Sequence, residues 1–193
     1  MSRTLLATVL FAALPVAAQA AAVEYGFDPA HTQVEASYNH FGYSNITLRF
    51  DQVEGSLVYD AENPAASSAK ATIQIASISS GVAKLDEHLK NSDFFDAATF
   101  ATATFTSTRV EAAGEGKLSM SGDLTIHGVT QPVTFAVSIN KVGEHPMKKV
   151  PAAGFDAHAT IKRSDFGVGL YAPNVSDEVK LEITVEATAK PAA

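Results

Sequence analysis

The chain contains no cysteine in 193 residues. That absence excludes a disulfide framework, a thiolate nucleophile, a thiolate metal site and a cysteine-borne lipid anchor. The fold must rest on its apolar core alone. Positive charge is also scarce: 14 Lys and Arg stand against 21 Asp and Glu, a formal net charge of −7. This sign argues against nucleic acid as a partner and against broad electrostatic attraction to anionic membranes. Long apolar runs are missing outside the first twenty residues, "MSRTLLATVLFAALPVAAQA", where Arg3 precedes the apolar stretch from Leu5 to Leu14 and Ala18-Gln19-Ala20 follows. This is the pattern of a secretory signal over residues 1–20, cut after Ala20 or Ala22. It falls short of the roughly 20 apolar residues that a membrane span requires. The expectation is an exported chain that does not span the membrane.

Motifs of catalysis and metal binding are lacking too. The six histidines, His31, His40, His88, His127, His145 and His158, include no pair at i,i+2 or i,i+4, so no single element offers a bidentate metal site. His145-Pro146-Met147 reads as a loop rather than a soft copper site. In "SGDLTIHGVTQPVTF" a Ser, an Asp and a His lie close in sequence, but Asp123, Thr125 and His127 share the polar face of a strand whose apolar face holds Leu124 and Ile126. Gly128 supplies the backbone freedom of the turn that follows. There is no nucleophile elbow, phosphate-cradling glycine loop or closely spaced acid pair. No catalytic and no metal-ligating residue is assigned.

What is present is alternation. With 46% hydrophobic and 18% charged residues, the chain has enough apolar matter for one well-cored domain and too little length for two large ones. In "EVKLEITVEATA", Val179, Leu181, Ile183, Val185 and Ala187 alternate with polar residues, the signature of an antiparallel strand with one wet face. The same rhythm runs through 32–40, 46–50, 71–79, 118–126, 133–139 and 155–163. Turn signals intervene at Phe41-Gly42, Gly114-Glu115-Gly116 and Gly143-Glu144-His145-Pro146. Seven or more such strands indicate an all-β sandwich or barrel. One segment, about residues 81–91, has the helical spacing Val82, Leu85, Leu89, with Ser79 or Ser80 placed to cap it and Asp86–Lys90 as an i,i+4 pair. Its apolar edge continues into Phe94 and Phe95, which suggests a short helix across one opening of a barrel.

The inward faces carry the functional signal. Val34, Ala36, Tyr38 and His40 share one face, and Phe155, Ala157, Ala159 and Ile161 lead on another to Arg163. Small residues beside large rings fit the tapered, filled core of a small barrel and fit a tunnel equally well. A tunnel with a few polar groups at its mouth suits a long apolar ligand with a polar head.

Four blocks, "FDPAHTQVEASYNHFGYSNITLRFDQVEGSLVYD", "LKNSDFFDAATF", "SGDLTIHGVTQPVTF" and "IKRSDFGVGLYAPNVSDEVKLEITVEA", resemble in this order the successive signature blocks of the YceI-like family of bacterial periplasmic proteins. The resemblance spans residues 21–193 as one domain. It implies a lipocalin-like antiparallel β-barrel of about eight strands, often dimeric, in the periplasm. Its apolar pore would hold a polyisoprenoid lipid, such as a prenyl pyrophosphate or the tail of a quinone, as ligand rather than cofactor, with no catalysis. The chain departs from the family at Phe100-Ala101, where an aromatic-Pro pair is common, which leaves the geometry of that turn open. Combined with the inward faces, the expected pore residues are Tyr38, His40, Phe50, Phe155 and Arg163, with Phe94, Phe95 and Phe166 near an opening. Two functions are compatible with such a site: a carrier for isoprenoid lipids, or an enzyme acting on a small amphiphile in the same pocket.

Overall fold

The computed structural model describes residues 22–189; the signal segment expected at 1–20 lies outside them. The strands are β1 (Val23–Phe27), β2 (Gln33–His40), β3 (Ser44–Phe50), β4 (Val53–Tyr59), β5 (Ser68–Gln74) and β6 (Ile78–Ser79), then the helix α1 (Ala83–Lys90). After it come β7 (Thr102–Ala112), β8 (Lys117–Ile126), β9 (Val129–Glu144), β10 (Pro151–Lys162) and β11 (Glu178–Ala189). They form one sheet in the order β1-β4-β5-β7-β8-β9-β10-β11-β2-β3-β6, and β1 also pairs with β11. β1 and β2 lie end to end along β11, β3 and β4 along that pair, and β5 and β6 along the next. Each pair is one longer strand interrupted by a break. Among the described residues the fold is a closed antiparallel barrel of eight strands, with one short helix.

Side-chain alternation makes the inside of this barrel. On β8, Leu118, Met120, Gly122 and Leu124 point inward, and on β11 Val179, Leu181, Ile183 and Val185 do so, while Lys180, Glu182 and Thr184 face water. Three segments without clear alternation are strands as well. β4 carries a glycine in its inward row because the ring of Phe27 on β1 lies where a Gly55 side chain would project. β7 is shifted by a bulge between Ser107 and Arg109, which throws its inward row out of period. β1 is only five residues long.

The structure corrects several expectations. The segment 71–79 is not one strand: a 3-10 turn at Ile75–Ser77 divides it, with Ile75 buried. Gly143 and Glu144 belong to β9, which runs to Glu144, and the chain reverses over 145–150, where His145 N–H donates to Val150 O at 2.8 Å. Neither Ser79 nor Ser80 caps α1. Val82 holds the cap position, and Ser80 donates from its backbone N–H (2.7 Å) and its hydroxyl (2.5 Å) to the Asp86 carboxylate. These hydrogen bonds are the main cause holding the Asp86 carboxyl below its ordinary value, and the charge of Lys90, the expected i,i+4 partner, adds to it. At the departure from the family pattern, Phe100 N–H closes on Asp96 O at 2.8 Å and Ala101 O accepts from Ile75 N–H at 2.9 Å, so the turn forms without proline.

His127 and Gly128 have φ of 51° and 75°, a two-residue turn between β8 and β9 with both residues left-handed. The Phe100 ring packs on His127, centroids 4.5 Å apart. Asp123 is exposed and Thr125 bonds across to Thr130, so this hairpin is wall and turn.

Candidate ligand-binding cavity

A cavity of about 330 Å³ occupies the barrel. Its wall includes His40, His88 and Tyr171 at the helix end and Tyr59, Ser67 and Leu118 at the other, so it follows the strands along the barrel. The 12 residues of β10, rising ~3.3 Å each and tilted by about 40°, span roughly 30 Å of barrel height. The inward aliphatics Val34, Leu181, Ile183 and Val185 line the cavity and are only half-buried although they sit inside a closed sheet. In a filled core such side chains would be surrounded by protein atoms at crystal-like density. The barrel is therefore hollow, which decides between the two readings that alternation allowed.

The eight expected pore residues all lie on this wall. Tyr38 and His40 come from β2, Phe50 from the end of β3 and Phe155 from β10, where its ring meets Tyr59 edge-on at 5.4 Å. Phe94 and Phe95 follow α1; Phe95 packs edge-on against Phe50 at 6.3 Å, and Phe94 sits between His88 (4.9 Å) and Tyr171 (6.2 Å). Phe166 is 2% exposed and closes the barrel from the loop after β10. Of the small inward residues, Ala36 and Ala157 line the cavity and Ala159 does not.

Arg163 has a role that the sequence did not show. Nε donates to Ser176 O (2.8 Å), Nη1 to Val168 O (2.6 Å) and Leu170 O (2.8 Å), and Nη2 to Val175 O (2.8 Å). A guanidinium has five N–H donors, so four are spent on backbone carbonyls of one loop. No acid takes the guanidinium directly: Asp177 accepts instead from the backbone and hydroxyl of Ser164. Burial pushes the Arg163 guanidinium down from its ordinary value, and the Asp177 charge opposes this most. Burial likewise pushes the Tyr38 phenol up, against the charge of Arg163.

The sequence reading missed His88 and Tyr171. His88 is three residues after Leu85 on the helix face that meets the barrel, so the helical spacing that marked Leu85 and Leu89 could have found it. Tyr171 sits in irregular loop with φ of 67°, where no periodic signal exists.

Away from the cavity, Asp28, His31 and Glu186 bring donor atoms within 4.8 Å of one another. The Lys148 ammonium lies 2.7 Å from Asp28 and His145 Nε2 lies 3.3 Å from Glu186, so this cluster straps the 145–150 turn onto β1 and β11. Hydrogen bonding from Lys148 is the main cause holding the Asp28 carboxyl at about 2. Among the described residues no helix is long and apolar enough to cross a membrane.

An eight-stranded up-and-down barrel with an elongated apolar interior and a helix at one end defines the lipocalin-like class of β-barrels. Within it, the family model described as YceI-like domain matches residues 25–187, and the chain belongs to the YceI-like family. A UPF0312 protein of Vibrio vulnificus is 38% identical over 192 residues, covering 98% of this chain and 100% of that one. The crystal structure of Burkholderia cenocepacia BcnA is similar with a TM-score of 0.77 at 30% identity, covering 84% of this chain and 99% of that one. A polyisoprenoid binding domain from Saccharophagus degradans, implicated in plant cell wall breakdown, has the same fold with a TM-score of 0.65 at 15% identity, covering 88% and 100% of the two chains.

Proposed function

We propose that this chain is a periplasmic binding or carrier protein that holds a polyisoprenoid lipid, a prenyl pyrophosphate, a prenyl quinone or a related amphiphile, with its chain inside the barrel. The observation that carries this reading is the cavity itself. It is hollow along the barrel, and its volume of about 330 Å³ falls in the ~300–1,000 Å³ range of ligand sites. Its wall is built almost wholly from aliphatic and aromatic side chains. Such a wall rewards a long apolar chain at roughly 25 cal/mol per Å² buried and offers nothing to a polar one. The Saccharophagus degradans domain, described as polyisoprenoid binding, shares this fold. The export pattern at residues 1–20 supports the compartment.

Binding is favoured over catalysis because, among the described residues, no wall hydroxyl is hydrogen-bonded to His40 or His88, and the single wall cation has four of its donors committed to carbonyls. Native mass spectrometry of protein purified from its own cell envelope, followed by extraction of the denatured sample, tests this. A carrier retains about one lipid per chain, unchanged on incubation. An empty cavity that stays empty on exposure to envelope lipids, or a lipid converted to product, would refute it.

A further inference from the structure

We propose that Asp28, His31 and Glu186 form a binding site for a divalent cation of the zinc class on the outer wall of the barrel, with His145 holding Glu186 in place. The site is separate from the lipid cavity, since none of these four residues lines it.

No single element offers two histidines at chelating spacing, and the fold gathers the donors from two elements instead. Asp28 and His31 lie in the turn between β1 and β2, and Glu186 lies on β11, between the inward-facing Val185 and Ala187. His31 Nδ1 is 3.4 Å from Asp28 Oδ2. Two ligands ~2.0–2.1 Å from a zinc ion at a tetrahedral angle are about 3.3–3.4 Å apart, so this pair already has the spacing of two bound donors. The Glu186 carboxylate completes a group whose donor atoms all lie within 4.8 Å of one another, and its side chain, 37% exposed, has room to close the remainder. One imidazole and two carboxylates are a donor set for zinc that leaves the fourth position to water.

The backbone holds these donors in place. Asp28 N–H donates to Glu186 O at 2.8 Å and His31 N–H to Asp28 O at 3.1 Å, which ties the turn to β11. Ala30 N–H takes Asp28 Oδ1 at 3.0 Å and leaves Oδ2 to face His31. His145 accepts at Nδ1 from the N–H groups of Met147 (3.2 Å) and Lys148 (3.1 Å), which aims its Nε2 at Glu186 Oε1, 3.3 Å away. A polar partner that orients a ligating carboxylate is what metal sites place behind their ligands. Charge points the same way. Asp28 and Glu186 carry two negative charges, and the Lys148 ammonium, 2.7 Å from Asp28 Oδ2, offsets one of them. A divalent ion offsets both and gains the imidazole nitrogen as a ligand. Lys148, its side chain 47% exposed, is free to withdraw into water, so it competes with the ion without blocking it.

Titration of chelator-treated protein with Zn²⁺ at neutral pH, in competition with a chromophoric zinc chelator, tests the site. The wild type should bind about one Zn²⁺ per chain and melt at a higher temperature with it. His31→Gln and Glu186→Gln should each weaken binding at least about tenfold, and Lys148→Ala should tighten it about two- to fivefold by removing the competing ammonium. His158→Ala, exposed on β10 outside the cluster, should bind as the wild type does. The His31 side chain is 63% exposed, so His31→Gln keeps the fold and carries the test even where Glu186→Gln destabilises the metal-free protein. Absence of zinc binding, or wild-type affinity in His31→Gln, overturns the site. A loss in His158→Ala as large as in His31→Gln identifies scattered binding to surface histidines and overturns it equally.

Discussion

Replacing Ala157 by Phe tests whether the barrel is hollow at mid-height. Ala157 lies on β10, is 8% exposed, and pairs with Val137 on β9 and Ile183 on β11, both of which also line the cavity. An apolar void that accommodates a benzene ring measures about 150 Å³. That is under half of the roughly 330 Å³ inside this barrel, so the phenyl ring has room. In a filled core the same change would overpack and cost ~1–3 kcal/mol. Here the ligand-free protein should keep its stability within about 1 kcal/mol, a change of roughly 2–4 °C in Tm for a chain of this size. The ring divides the tunnel, so a long prenyl quinone loses the burial of every carbon beyond it. At ~0.8 kcal/mol per methylene, excluding about four carbons costs ~3 kcal/mol, or more than hundredfold in Kd. A short-chain quinone that fills only the helix end should bind as in the wild type. Circular dichroism melting of the delipidated variant, with titrations of both quinones, reads each quantity. A fall in ligand-free Tm well beyond 4 °C, with equal loss of the two quinones, would refute a hollow barrel at this level.

Four further outcomes are expected. A prenyl quinone at about a hundred times its Kd should stabilise the wild type by ~2.7 kcal/mol and raise its Tm by roughly 5–10 °C, and an unchanged melting curve would count against the cavity as a binding site. Arg163→Gln removes a guanidinium serving four carbonyls of the loop after β10 and should cost about 3 kcal/mol in urea denaturation, with Arg163→Lys recovering little because it lacks the planar fork; a loss under 1 kcal/mol would contradict that role. Asp28, held at about 2 beneath its ordinary 3.8, contributes stability that is complete above pH ~4 and is lost as pH falls through about 2. Asp28→Asn should therefore cost ~1 kcal/mol at pH 7, limited by the solvent around Lys148, with the difference shrinking between about pH 4 and pH 2 and vanishing only below that; a pH-independent difference would show that the strap does not depend on charge. Gly122→Ala would place a Cβ 2.5 Å from the Phe105 ring and 2.5 Å from the Thr106 carbonyl oxygen, which is backbone and cannot yield, so chemical denaturation should show a loss of ~1–3 kcal/mol.

Much of this barrel was legible in one dimension because a strand writes its two faces into alternate residues. β11 could be read residue by residue, and the helix declared itself through Val82, Leu85 and Leu89 against a background of period two. The parity of Tyr38, Phe155 and Arg163 placed them on an inward face without any contact being known. The four signature blocks carried the family. The strands that escaped did so for reasons that lie in neighbouring strands: Gly55 is small because Phe27 covers it, and the bulge in β7 breaks the count at Ser107. Neither cause is visible in the local sequence.

Only the tertiary structure decided what the inward faces enclose. Whether small residues beside large rings fill a barrel or leave it hollow depends on distances across the barrel between residues far apart in the chain, and alternation carries no information about its diameter. Polar roles are set in the same way. Arg163 reads as the cation at the end of an apolar row, yet its donors go to Val168, Leu170, Val175 and Ser176, carbonyls that only the fold of a loop brings around it. His88 reads as one more polar helix residue until the barrel places it on the cavity wall beside Phe94. Alternation determined which residues face inward. Closure of β1 on β11, which joins the first and last strands of the barrel, determined that they face a cavity.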